Sequence, residues 1–173
     1  MSTVNVNAIL VGVELYSNAD WQEIFDSIAQ TRTLYAPIGL TVGEVRFWGI
    51  PLIQTRGRED IDDDGEAEAL TDEWTVDNFA LDLFYVRTYA GTTVGLSRVD
   101  GPCDKNAKGM DGSVVAIEGS TRTSGFATAH ELAHYLGLNH EDDPNNLMFR
   151  NVPNGGAIRS DQAANMKDHC FVF

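Results

Sequence analysis

Residues 130–140 read HELAHYLGLNH, and their spacing decides the fold. His130 and His134 are four residues apart, so on a helix they project from one face, one turn apart. Their imidazoles can converge on one metal ion. Glu131 sits about 100° round the helix from His130, beside such an ion rather than on it, where it can take a proton from a coordinated water. A helix continuing past Leu136 would carry His140 away. Glycine just past a helix adopts left-handed backbone and turns the chain sharply, so Gly137 allows His140 to return as a third ligand. Three neutral imidazoles leave zinc its full charge and an open fourth position for water. The competing reading, a helix whose histidines are ordinary surface or core residues, explains a bare HExxH but gives no reason for the added glycine and third histidine.

Upstream of this motif, Ser120 to Leu136 reads as its helix, with Phe126, Ala129, Leu132, Ala133 and Leu136 near one face. Val4 to Leu15 is rich in strand formers. Ser17 to Asp20 offers capping residues for a helix over Trp21 to Tyr35, ended by Pro37 and Gly39. Leu40 to Ile50, Ala80 to Tyr89, Thr92 to Val99 and Ser113 to Ile117 read as further strands. Arg56 to Asp72 reads as an irregular acidic stretch, Thr75 to Phe79 as a short helix, and Asp100 to Asp111 as a loop. Downstream, Ser160 is a candidate N-cap for a last helix to about His169. This order predicts an α+β domain.

A chain of 173 residues with 43 % hydrophobic content can bury one real core. No apolar run approaches the roughly 20 residues of a membrane span. Residues 1–10 lack the basic and apolar regions of a signal peptide. The net charge of −14 repels phosphate backbones and anionic membranes, which argues against nucleic-acid and membrane partners. Cys103 and Cys170 admit two readings, a pair of buried thiols or one long-loop disulfide that implies an oxidising compartment.

The motif resembles that of the metzincin clan of zinc metallopeptidases, which also carry a methionine in a tight turn below the metal. Asn146-Leu147-Met148 follows His140, and Met148 matches that residue. From Gly95-Leu96 through Cys103, Val114 to Ile117 and the histidine helix, the chain is similar to the reprolysin (adamalysin) branch. That branch pairs cysteines at the places of Cys103 and Cys170, so the resemblance implies the disulfide and a secreted protein. It further implies a metzincin-like fold: a twisted mixed sheet with two helices in an upper lobe (residues 1–137), and a small irregular lower lobe (138–173) with a C-terminal helix. The implied activity is that of a zinc-dependent endopeptidase with His130, His134 and His140 as ligands and Glu131 as the base activating the zinc-bound water. The implied partner is an extended peptide laid on Thr92 to Val99 and walled by residues 149–158, taken by a monomer. Two residues depart from the branch. Glu141 after the third histidine is astacin-like, yet astacins place a tyrosine where this chain has Arg150, so no tyrosine ligand is expected and the branch stays open.

Weaker signals complete the reading. Asp60, Asp62 and Asp64 before Gly65 resemble the opening of a calcium loop, but Thr71 occupies the twelfth position where a bidentate glutamate belongs. A solvated acidic loop competes with a calcium site there. His169 reads as a surface or capping residue, and Trp21, Trp48 and Trp74 as core. Two rival functions stand beside the endopeptidase. A zinc amidase for non-protein amides predicts a deep, narrow cleft, and a zinc-retaining binding or toxin-like module has no need of Glu131.

Overall fold

In a computed structural model, residues 2–117 and 119–173 are described; Met1 and Glu118 lie outside the described residues. The elements in chain order are β1 (Ser2–Val11), α1 (Asn18–Tyr35), β2 (Leu40–Ile50), α2 (Leu52–Thr55), β3 (Asp60–Ile61), α3 (Asp64–Trp74), β4 (Leu81–Val86), β5 (Thr88–Tyr89), β6 (Gly95–Ser97), β7 (Ser113–Ala116), α4 (Thr121–Tyr135) and α5 (Ser160–Asp168). Five strands form one mixed sheet in the order β2-β1-β4-β7-β6. β2, β1, β4 and β7 run parallel, and β6 lies antiparallel to β7 at the edge. β3 and β5 form a separate parallel pair. The fold is α+β, as the order of elements predicted.

The inner strands are mostly apolar because both sheet faces are covered, with Asn7, Asp82 and Ser113 as buried polar exceptions. All six residues of β4 and all four of β7 are buried. On one face Val4, Val6, Leu10, Leu83, Tyr85 and Val115 pack against Ile24 and Ile28 of α1 and Ala129, Leu132 and Ala133 of α4. On the other, Ile9, Val11, Phe84, Val86 and Val114 meet Ile61 and Ala67 and Leu70 of α3. α1 starts at a capping box: Ser17 Oγ accepts the Asp20 N–H, and Asp20 takes the Ser17 N–H in return. It stops before Gly39, which turns the chain at φ 68°.

Several expectations need correction. The first strand ends at Val11 rather than Leu15, because Gly12 takes φ 72° and a 3-10 turn follows. The irregular stretch 56–72 contains most of α3. Asp63 caps it by accepting the Glu66 N–H at 2.9 Å, and the acids that made this stretch look like a loop complement the positive end of the helix. Thr75 to Phe79 is not helical, since Thr75 Oγ1 and the Val76 N–H both donate to Asp82 Oδ2 at 2.9 Å. Beside the two long helices α1 and α4, α3 therefore backs the sheet on its second face. Trp48 is no core residue; it is 44 % exposed and donates its indole N–H to Asn7 Oδ1.

The chain end is tied to its start. Phe173 and Thr3 exchange backbone hydrogen bonds of 3.0 and 2.8 Å. Cys103 and Cys170 form a disulfide that links the loop before β7 to the residues after α5. His169 is buried, not at the surface, and donates Nε2–H to the Gly101 carbonyl at 3.0 Å, a second tie across the same junction. No helix among the described residues is long and apolar enough to cross a membrane.

Candidate metal centre

α4 carries the first two histidines. Its N-cap is Ser120, and every residue from Ser124 to Tyr135 is buried between α1 and the sheet. The Tyr35 hydroxyl donates to the Ala129 carbonyl at 2.6 Å, which fixes the rotation of the helix just before His130.

The end of α4 brings in the third histidine. The Leu138 N–H donates to the Ala133 carbonyl at 3.0 Å and the Gly137 N–H to His134 at 2.9 Å. This paired pattern is a Schellman turn, and Gly137 stands in it at φ 100°. The turn also places the Leu138 carbonyl 2.6 Å from His134 Nδ1. A Cβ added at Gly137 would stand 3.1 Å from the Asn165 amide, on backbone that β-branched residues avoid. Gly137→Val is expected to lower stability by about 2 kcal/mol and metal affinity by about 10- to 100-fold, because both His140 and the carbonyl behind His134 hang on this turn. Competitive metal titration with thermal unfolding checks it; parental affinity in a folded variant would contradict it.

Ligand nitrogens of His130, His134 and His140 all lie within 4.8 Å of one another. Nε2 of His134 is 3.2 Å from Nε2 of His140. Two nitrogens on a tetrahedral ion at about 2.0–2.1 Å would stand about 3.3 Å apart, so the spacing suits one shared ion. His130 Nδ1–H donates to the Leu147 carbonyl at 2.8 Å, as His134 Nδ1–H does to Leu138. Each bond leaves the Nε2 lone pair turned toward the common centre. Burial holds His130 and His134 down at about 4, and burial with the nearby Arg150 charge lowers His140. Neutral imidazoles are what a metal requires.

Glu131 is 6 % exposed, and burial pushes its carboxyl up to about 8. A cation held by the three histidines opposes that shift and favours the carboxylate. β6 presses on this group. A Cβ at Gly95 would stand 2.7 Å from Glu131 Cγ and 2.9 Å from the Val114 carbonyl, so glycine is what lets the edge strand approach the glutamate.

Met148 is fully buried in a tight turn closed by the Phe149 N–H on the Asn146 carbonyl at 3.2 Å. The Met148 carbonyl accepts the Glu141 N–H at 2.9 Å, which ties this turn to the residue after His140. The Glu141 carboxylate pairs with Arg159 at 2.9 Å. A cavity of about 700 Å³ opens over the centre, lined by Asp64, residues 92–96, His130, Glu131, His140 and residues 150–152. A further cavity of about 190 Å³ continues along β6 past His134 and Asn139.

The acidic trio is not gathered into one ligand set. Asp60 accepts from the Thr88 hydroxyl at 2.7 Å and Asp64 from the Tyr89 hydroxyl at 2.6 Å. Among the described residues a second trio, Cys103, His169 and Cys170, has metal-ligand spacing, but its sulfurs are spent on the disulfide. Sequence reading missed the carbonyls of Leu138 and Leu147, which orient the histidines, and the packing role of Gly95. No side-chain signal marks a backbone acceptor. Arg150 fell within the segment 149–158 read as a wall of the cleft, but it was singled out only as a departure from a pattern, not for its lack of a partner.

No protein-family model matches the chain, and no curated protein matches it. A solved structure does: metalloproteinase-II from Bacteroides fragilis, with a TM-score of 0.64 at 14 % identity, covering 95 % of this chain and 52 % of that one. The chain thus spans about half the length of that metalloproteinase. At this identity the likeness is one of fold: the α+β architecture that carries the three histidines is similar to that of this metalloproteinase.

Proposed function

We propose that the protein is a zinc-dependent endopeptidase that cleaves peptide bonds in extended chains. The observation that carries this reading is the convergence of three imidazoles, two of them oriented by backbone carbonyls, beside one buried glutamate. His130, His134 and His140 would hold the zinc, whose preference for tetrahedral sites with imidazole ligands their spacing suits. Zinc, when bound, supplies Lewis acidity toward a carbonyl and acidifies water. The remaining work falls to this chain's residues. Glu131 takes the proton of the attacking water and passes it to the leaving amine. β6, at the sheet edge, offers its backbone to an extended substrate. The Leu138 and Leu147 carbonyls keep two histidines in the tautomer that presents Nε2.

A cleft that runs along a strand edge suits an extended peptide better than a compact non-protein amide. The disulfide suits an oxidising, extracellular setting. Digestion of a peptide library tests the reading. Cleavage at internal bonds that a chelator abolishes is expected; cleavage insensitive to the chelator, or none with zinc supplied, would refute it.

A further inference from the structure

The chain has nine arginines. Eight have partners in the fold: carboxylates for Arg46, Arg56, Arg58, Arg87 and Arg159, carbonyls for Arg32 and Arg98, and the Phe126 ring for Arg122. Of the nine, Arg150 alone makes no side-chain hydrogen bond, ion pair or ring contact among the described residues. It is exposed, and it lines the cavity over the candidate metal centre together with Val94 and the edge-strand residues Gly95 and Leu96.

The segment that carries Arg150 is well anchored. Asn154 Nδ2 donates to the carbonyls of Leu147 at 2.9 Å and Phe149 at 3.3 Å, bracketing the arginine's approach. The Gly155 N–H reaches the Pro144 carbonyl at 3.0 Å, and the Ala157 N–H the Asn145 carbonyl at 2.9 Å. Arg150 is therefore a cation at a defined place on the cleft wall. The other charged residues lining the cavity are Glu131, beside the metal centre, and Asp64, which already accepts the Tyr89 hydroxyl. In a protein of net charge −14, an unpaired guanidinium in a substrate cleft stands out. Its planar fork matches a carboxylate in bidentate fashion.

We propose that Arg150 selects substrates bearing a carboxylate next to the scissile bond, on the side lined by residues 150–152. This rests on the endopeptidase reading above and adds a substrate class to it. The carboxylate has two sources: an aspartate or glutamate side chain, or the peptide's own C-terminus, which would turn the enzyme toward short carboxy-terminal cuts. No covalent role is assigned to Arg150, which acts as a specificity-determining residue.

The experiment compares kcat/KM for matched peptides on the zinc-loaded protein and on Arg150→Gln and Arg150→Glu. One arm exchanges Glu for Gln at each position flanking the scissile bond; the other exchanges a free C-terminus for an amide. The parent is expected to favour the carboxylate about tenfold or more at one position or at the terminus, the worth of a charge-assisted hydrogen bond. Arg150→Gln should erase that ratio mainly through KM while still cleaving the neutral peptides, and Arg150→Glu should reverse it toward lysine. The arm that responds identifies the source. An unchanged ratio in Arg150→Gln overturns the proposal and leaves the endopeptidase intact. An equal kcat loss on all peptides overturns it too, since it would assign Arg150 to the reaction itself. Absence of chelator-sensitive cleavage in every sample overturns both readings together.

Discussion

Replacing Glu131 with glutamine is expected to lower kcat/KM for peptide cleavage about a thousandfold, the range of a lost general base, while zinc content stays at the parental level. In the proposed site the metal and the base are separate, because Glu131 lies one residue round the helix from His130 and is not one of the converging trio. Glutamine keeps the shape that Gly95 packs against but cannot accept a proton. The variant should also fold as well as its parent or better, since burial already disfavours the charge on Glu131. Thermal unfolding, metal analysis and steady-state kinetics on one preparation check all three. Cleavage within a few-fold of parental would remove Glu131 from the chemistry. Loss of zinc alongside activity would make it a ligand instead.

The second large effect concerns stability. Replacing both Cys103 and Cys170 with serine is expected to cost about 4 kcal/mol, from the loop-closure entropy of a long cross-link. For a domain of this size that lowers the unfolding temperature by about 10 °C. The cross-link spans 67 residues, and these include β7, all of α4 and the Met148 turn. The hydrogen bond from His169 to Gly101 remains in the variant, so the junction should loosen rather than come apart. Calorimetry of the parent and the double serine variant, with zinc in excess for both, measures the difference. An unchanged unfolding temperature would show that the disulfide leaves the unfolded ensemble unconstrained.

Much of the fold was legible wherever the determining physics is local. Ser17 and Asp20 announced the start of α1, Gly39 its end, and the mostly apolar runs of β4 and β7 announced strands. The histidine spacing and Gly137 pointed to the candidate metal centre because each position answers to helix geometry. α3 stayed hidden because its capping acids look like a solvated loop until Ala67 and Leu70 are seen to meet Ile9 and Phe84 across the sheet. His169 looked like a surface residue because its partner, Gly101, is 68 positions away. Trp48 looked like core because nothing local shows that β2 is an edge strand. Arg150 followed the same rule: what singles it out is the lack of a partner, and a sequence does not list partners.

The central claim is that one zinc, held by His130, His134 and His140, serves peptide cleavage. Back-titration of the chelated protein with zinc, following cleavage of an internally quenched peptide, tests it most directly. Activity should rise linearly and saturate at one equivalent, and His140→Ala should neither bind that equivalent tightly nor regain activity. Full cleavage without added metal, or saturation unaltered in His140→Ala, would contradict the account.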